Sequence, residues 1–380
     1  VIPYGKQDIN QDDIDAVVNV LKSDYLTQGP AIGQFEQAVS EYCGAEYAIA
    51  VNSATSALHI ACLALGVSKG DIVWTSPNSF VASSNCAIYC DATVDFVDID
   101  VETGNISVAA LRAKLQKAQR NNTLPKVVIP VHFAGQSCDM AEIAKLANEF
   151  HFKIIEDASH AIGAKYQNSP VGNCQFSDIC VFSFHPVKII TSAEGGMLTT
   201  KCGNITTKLK SLRSHGITNQ PKDLVKDDQG PWYYEQQSLG FNYRITDIQA
   251  ALGLSQMKRL DEFVTRRHQL TSAYTKHLPI NLTHLMQSPD CYSSYHLYVV
   301  LLDNAAKRKE IVTQLRARGI FAHVHYIPIH LQPYYHSLGF REGDYPNAEE
   351  YYSKAITLPL HPNLTENDII FISDTLRELM

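Results

Sequence analysis

The sequence contains no apolar run approaching the ~18 residues that a membrane-crossing helix needs. Its first residues, Val1-Ile-Pro-Tyr-Gly-Lys6, lack the apolar core of a secretory leader. These two absences predict a cytoplasmic protein without a membrane partner. Basic residues are outnumbered, with 32 Lys and Arg against 39 Asp and Glu for a net charge of −7, and they are scattered. That distribution offers nucleic acid no electrostatic footprint. The nine cysteines are odd in number and include no Cys-x-x-Cys spacing. Several, such as Cys62, Cys86 and Cys180, sit in apolar context, so they read as reduced buried thiols instead of a disulfide frame or a zinc site. There is also no Gly-x-x-x-x-Gly-Lys and no Gly-x-Gly-x-x-Gly, which removes the main support for nucleoside triphosphatase and Rossmann dinucleotide readings.

What remains is ordinary globular composition on a chain of 380 residues, enough for two domains. Residues 11–23 and 33–43 read as amphipathic helices joined by Leu26-Thr-Gln-Gly-Pro30. From residue 47 short apolar strands alternate with helices: strands near 47–51, 71–75, 94–97, 127–131 and 153–156, helices up to Leu65, from 81 to 89 and from 139 to 150. This rhythm predicts an α/β fold with a mostly parallel sheet covered on both faces. A long helix is expected from Ile245 to about Leu278. Beyond it come strands near 295–302 and 320–326 and helices at 305–318, 346–354 and 365–379. The expected division is a large α/β domain, 1–250, and a smaller α+β domain, 251–380.

Lys188 carries the most chemical information. It follows the alternating, strand-like Asp178-Ile-Cys-Val-Phe-Ser-Phe184 and precedes the tight turn Glu194-Gly195-Gly196. An amine at the end of a buried strand has a lowered pKa, which makes it available for a Schiff base. Asn52-Ser-Ala-Thr-Ser56 lies at a strand-to-helix junction, where free N–H groups and the helix dipole form an anion site. The same residues also make a plain helix cap. Ile154-Ile-Glu-Asp157-Ala-Ser-His160 sets an acid and a histidine just past a strand, where doubly wound sheets bind ligands. A buried Asp needs a cationic partner, and a protonated pyridine nitrogen would serve. Phosphate donors, a pyridinium partner and a reactive lysine are the contacts pyridoxal 5′-phosphate (PLP) needs.

Taken together, these segments resemble the sugar-nucleotide aminotransferases of the DegT/DnrJ/EryC1/StrS family, within the fold-type I PLP enzymes. The resemblance runs from Tyr4 to the last helix. It is carried by Leu26-Thr-Gln-Gly29, Asn52-Ser-Ala-Thr-Ser-Ala-Leu58, Ser76-Pro-Asn-Ser-Phe-Val-Ala82, Glu156-Asp-Ala-Ser-His160, Ser183-Phe-His-Pro-Val-Lys188 and Gly240-Phe-Asn-Tyr-Arg244. Two positions depart from the family pattern, Ile189 and the pair Thr191-Ser192, and neither removes a group the chemistry needs. The branch with Ser-Phe-His-x-x-Lys and His323-Val-His-Tyr326 makes the 4-amino sugar of pseudaminic acid synthesis from a UDP-linked 4-keto-6-deoxy-N-acetylhexosamine.

The resemblance implies a role for each matching residue. Lys188 would hold the cofactor and shuttle the proton, and Asp157 would pair with the pyridinium nitrogen. His160 would lie near the phenolic oxygen and Phe80 would stack on the ring. Ala54, Thr55 and Ser183 would contact the phosphate, and Asn242 would reach it from the neighbouring subunit of a homodimer. Substrate contacts would come from Tyr4, from Asp24, Tyr25, Leu26 and Thr27, and from His323, Val324, His325 and Tyr326. L-Glutamate would be the amino donor. His323 and His325 on one strand face, with His330 nearby, also raise a metal site, but no supporting carboxylate or cysteine cluster accompanies them. Other open readings are a dTDP-linked or 3-keto sugar substrate and a non-catalytic sugar-nucleotide-binding relative. A PLP sugar dehydratase is disfavoured, because those enzymes carry histidine where this chain keeps Lys188.

Overall fold

The computed structural model describes residues 1–226 and 229–380. Its centre is a seven-stranded sheet. In chain order the strands are β1 (Tyr47–Val51), β2 (Ile72–Thr75), β3 (Thr93–Phe96), β4 (Val127–Ile129), β5 (Lys153–Asp157), β6 (Ile179–Ser183) and β7 (Gly196–Thr200). Across the sheet they run β1-β7-β6-β5-β4-β2-β3, and β7 is antiparallel to both its neighbours while the pairs from β6 to β3 are parallel.

Strand periodicity divides the core in two. Ile49, Val51, Val181 and Leu198 face one side, against helices Ala54–Ala64 and Ala82–Ile88. Ala48, Ala50, Phe182 and Met197 face the other, against Phe35 and Val39 of helix Pro30–Cys43 and Ala250 of helix Asp247–Met257. Both faces are therefore apolar, as a sheet sandwiched by helices requires. Each fully buried Val, Leu, Ile, Phe or Met side chain here contributes roughly 1.5–3 kcal/mol, and each alanine less.

The expected helix from 245 to 278 is two helices, Asp247–Met257 and Leu260–His277. The first is well started, because Thr246 and Gln249 form a reciprocal cap. It stops where Arg259 leaves helical geometry (ψ 7°) and reaches Asp8 and buried Asp13 at 2.5 and 2.7 Å. Two helices absent from the sequence reading, Val108–Asn121 and Gly203–Arg213, complete the cover of the sheet.

The later part of the chain builds a three-stranded antiparallel sheet from Thr283–His284, Tyr298–Leu301 and Ala355–Leu358. Helices Arg308–Ala317 and Glu366–Leu379 close a core of Ile311, Leu315, Ile356 and Ile372 over it. The strand expected over 320–326 is only Ile320–Phe321, with His323 bridging singly to Thr357. Its partner is Ile2–Pro3, so the first residues of the chain sit with the last third. A boundary near residue 250 stands as our proposal, crossed by that first strand.

Candidate active site

Sheet order builds the anion cup. Gly196, first residue of β7, lies opposite Val51 on one side and Ser183 on the other. The chain leaving β1 turns at Ser53, whose side chain caps Ser56 N at 3.1 Å and starts helix Ala54–Ala64. Ala54 and Thr55 thus open the helix with N–H groups that have no intrahelical acceptor. Gly196 permits the approach: a Cβ there would lie 2.6 Å from the Ser53 carbonyl and 2.7 Å from Ala54 N. The result is a helix start beside the Ser183 hydroxyl, with one glycine between them.

After β6 the chain folds back on itself. Phe184 N donates to Gly195 O and Ser192 N to Phe184 O, while Ile189 and Ile190 anchor the loop in the core. A turn from His185 O to Lys188 N then sets Lys188 at the wall of a cavity of about 490 Å³. Its side chain keeps some exposure to that cavity, but the protein around the amine lowers its pKa to about 8 through desolvation, against the opposing charge of Asp157.

Asp157 ends β5, 4% exposed. Its Oδ2 accepts from Ser83 Oγ at 2.6 Å and its Oδ1 from Ser159 N at 3.1 Å. Ser83 in turn is 2.7 Å from Ser79 Oγ. His160 is buried, with Nε2 3.1 Å from the Tyr326 hydroxyl and Nδ1 without a partner. Burial, the charge of Lys188 and that of His325 hold its pKa well below the usual imidazole value, so the ring is neutral. Phe80 stands 59% exposed at the cavity wall.

Lys188, Asp157, Ser183, His160, Ala54, Thr55, Phe80, Tyr4, His323, His325 and Tyr326 all line this one cavity. Asn242, Val324 and the segment Asp24, Tyr25, Leu26 and Thr27 do not. Asn242 is exposed, and its carbonyl is 3.5 Å from Asn52 Nδ2. Thr27 bridges to Thr246.

The expected shared strand face of His323 and His325 is absent, because the strand ends at Phe321. Their rings nevertheless lie 4.6 Å apart against Tyr4. His325 engages Thr357 Oγ1 at 2.9 Å and His330 engages Glu349 at 2.8 Å, so the three histidines have separate partners. Among the described residues no three His, Cys, Asp or Glu are arranged to hold a metal ion.

Sequence reasoning missed Ser83, Ser79 and His296. Ser83 and Ser79 are spaced one helical turn apart, the one signal that could have paired them. His296 packs its ring 4.4 Å from that of His160 and comes from a distant loop, with no local signal at all. A larger cavity of about 930 Å³, lined by Trp74, Phe340 and Tyr345, shares no residue with this site, and its Lys114 is paired with Asp95 at 2.7 Å.

These groups fit PLP. The helix start and Ser183 suit a phosphate, Asp157 and Lys188 on the same cavity suit a ring nitrogen and an aldehyde, and the orphaned His160 Nδ1 is a polar atom available to a ligand.

Comparison with known proteins agrees with that chemistry. Residues 7–377 match the DegT/DnrJ/EryC1/StrS aminotransferase family. The chain is 37% identical to the spore coat polysaccharide biosynthesis protein SpsC of Bacillus subtilis, covering 100% of this chain and 97% of that one. It is 38% identical to a UDP-4-amino-4,6-dideoxy-N-acetyl-beta-L-altrosamine transaminase of Campylobacter jejuni, covering 100% and 98%. Among solved structures, Helicobacter pylori PseC, an aminotransferase of pseudaminic acid biosynthesis, superposes with a TM-score of 0.91 at 34% identity, covering 100% of this chain and 98% of that one. The chain belongs to the DegT/DnrJ/EryC1/StrS aminotransferase family and is a PLP-dependent sugar aminotransferase.

Proposed function

We propose that this enzyme moves the amino group of L-glutamate to C4 of a UDP-linked 4-keto-6-deoxy-N-acetylhexosamine, on a route to pseudaminic-acid-type surface glycans. The observation that carries this reading is the convergence of Lys188, Asp157 and Ser183 on one cavity. The Campylobacter jejuni and Helicobacter pylori relatives support the sugar and the route.

PLP, when bound, supplies an electron-withdrawing ring and a carbonyl that accepts and returns the amino group. Lys188 is the residue to hold it, because its lowered pKa keeps a useful share of amine unprotonated near pH 8. Released, the same amine takes the proton from the donor's Cα and later delivers one to C4 of the sugar. Asp157, fixed by Ser83 and Ser159, supplies the negative charge for the ring nitrogen. Ala54, Thr55 and Ser183 would hold the phosphate, and Phe80 at the cavity wall would pack against the ring. His160, kept neutral by burial, offers a hydrogen bond without adding charge.

Tyr4, His323, His325 and Tyr326 form the wall left for the sugar. Asn242 and the segment Asp24–Thr27 are exposed and outside the cavity, so we assign them to the neighbouring subunit's site in a homodimer. Thr27 and Thr246 are bridged, which keeps both contributions at one edge.

The test is product analysis by mass spectrometry and NMR with glutamate and a panel of UDP- and dTDP-linked keto sugars. The expected product is the UDP-linked 4-amino sugar. Turnover confined to a dTDP-linked or 3-keto substrate would overturn the substrate assignment, and no turnover at all would overturn the donor chemistry as well.

A further inference from the structure

Tyr326 and His160 meet from positions 166 apart in the chain, with the Tyr326 hydroxyl 3.1 Å from His160 Nε2. His160 is held from several sides. Its carbonyl accepts from Ser294 Oγ at 2.9 Å, and the His296 ring packs against its own at 4.4 Å between centroids. Tyr326 is fixed as well: its N–H donates to Asn78 Oδ1, and its ring lies near those of Phe80, Phe133 and His325. Both residues line the cavity of Lys188 and Asp157.

The count of protons decides which way this hydrogen bond runs. A neutral imidazole has one N–H and one bare nitrogen that accepts strongly, whereas a phenol is a good donor and a weak acceptor. Burial, Lys188 and His325 keep His160 neutral, and burial pushes the Tyr326 phenol up, so the phenol keeps its proton. Among the described residues, His160 Nε2 is the one hydrogen-bond partner of that hydroxyl. Were Nε2 the donor, the phenol proton would have no protein acceptor and Nδ1 would be a bare buried nitrogen. With the hydroxyl donating, one bond satisfies both groups and the ring proton stays on Nδ1, which is buried without a partner.

We propose that Tyr326 is a positioning residue that sets the tautomer of His160, its O–H donating to Nε2 so that Nδ1 is a fixed donor towards the phenolic oxygen of PLP, on the reading of this cavity as the PLP site. A donor that cannot turn acceptor favours the form of the bound cofactor in which that oxygen carries full negative charge. It therefore holds down the pH at which the cofactor's colour changes.

Neutron diffraction from deuterium-exchanged crystals of the cofactor-free enzyme tests the tautomer by itself. The expected result is deuterium on His160 Nδ1 and on the Tyr326 oxygen, with none on Nε2. Deuterium on Nε2 would overturn the proposal. Absorbance titration of the PLP-loaded enzyme tests the consequence. Tyr326→Phe, checked for native circular dichroism, should raise the midpoint of the colour change by about one pH unit, as expected for loss of one charge-assisted hydrogen bond. His160→Asn keeps an N–H but has no tautomer to set, so adding Tyr326→Phe to it should move the midpoint no further. An unmoved midpoint in Tyr326→Phe, or an equal rise in both backgrounds, would show that Tyr326 does not act through His160. A wild-type enzyme that gains no PLP band would instead overturn the reading of the cavity, and with it the role towards the cofactor.

Discussion

Ser83 donates a 2.6 Å hydrogen bond to Asp157 across the gap between helix Ala82–Ile88 and the end of β5. The two residues are 74 positions apart, and both are almost fully buried. Since Ser83 has a single hydroxyl proton and spends it on Asp157, the 2.7 Å contact with Ser79 requires Ser79 to be the donor there. A short hydroxyl chain therefore ends on the carboxylate proposed to face the cofactor.

Removing the inner hydroxyl should matter more than removing the outer one. Ser83→Ala leaves a buried carboxylate one donor short, which costs about 1–3 kcal/mol. Ser79→Ala touches Asp157 only indirectly and should cost less than half as much. Urea unfolding of the cofactor-free variants measures both, and equal losses would argue against a directed chain.

Gly196→Ala should damage the anion cup and the fold together. The new Cβ meets backbone atoms of Ser53 and Ala54, which cannot rotate away, so β7 must separate from the helix start. Overpacking of this kind costs about 1–3 kcal/mol. Equilibrium dialysis should also show weaker PLP binding. Wild-type stability and affinity in this variant would mean that the helix start is not held in place by Gly196.

Lys188 should leave a pH signature on stability before any substrate is added. Its pKa falls from 10.5 in the unfolded chain to about 8 in the folded one, so between those values the unfolded chain binds more protons and stability rises with pH. Below pH 8 both states are charged, and the cost of burying the ammonium is felt in full. In the cofactor-free protein Lys188→Met should therefore raise Tm most near neutral pH, with its advantage shrinking from pH 8 towards 10.5. Paired thermal melts give the answer, and an advantage that grows with pH would contradict the burial argument.

The alternating α/β rhythm was readable because several strands of the central sheet are short, largely apolar runs, as in Tyr47–Val51, Val127–Ile129 and Ile179–Ser183. Lys188, Asp157 and Ser183 were readable because each sits at or just past the end of such a strand, where the sheet itself aims side chains into one crevice. Helix Val108–Asn121 was harder to see, since Leu111, Leu115 and Ala118 are its only buried residues and the rest is alanine, one valine and polar side chains. The interruption at Arg259 carries no proline or glycine signal. It depends on Asp8 and Asp13, some 250 positions away, as tertiary contacts commonly override helix propensity. Ser83 and His296 were invisible for the same reason: their roles are made by packing between distant segments, not by local sequence.

Lys188 is the residue proposed to take the cofactor, and the other site roles depend on it. Borohydride reduction of the PLP-loaded enzyme, followed by peptide mapping, tests that claim directly. We predict a phosphopyridoxyl group on the peptide carrying Lys188, no label there in Lys188→Ala, and loss of amino transfer in that variant with its fold intact. Labelling of a different lysine in the wild-type enzyme, or full activity in Lys188→Ala, would contradict the account.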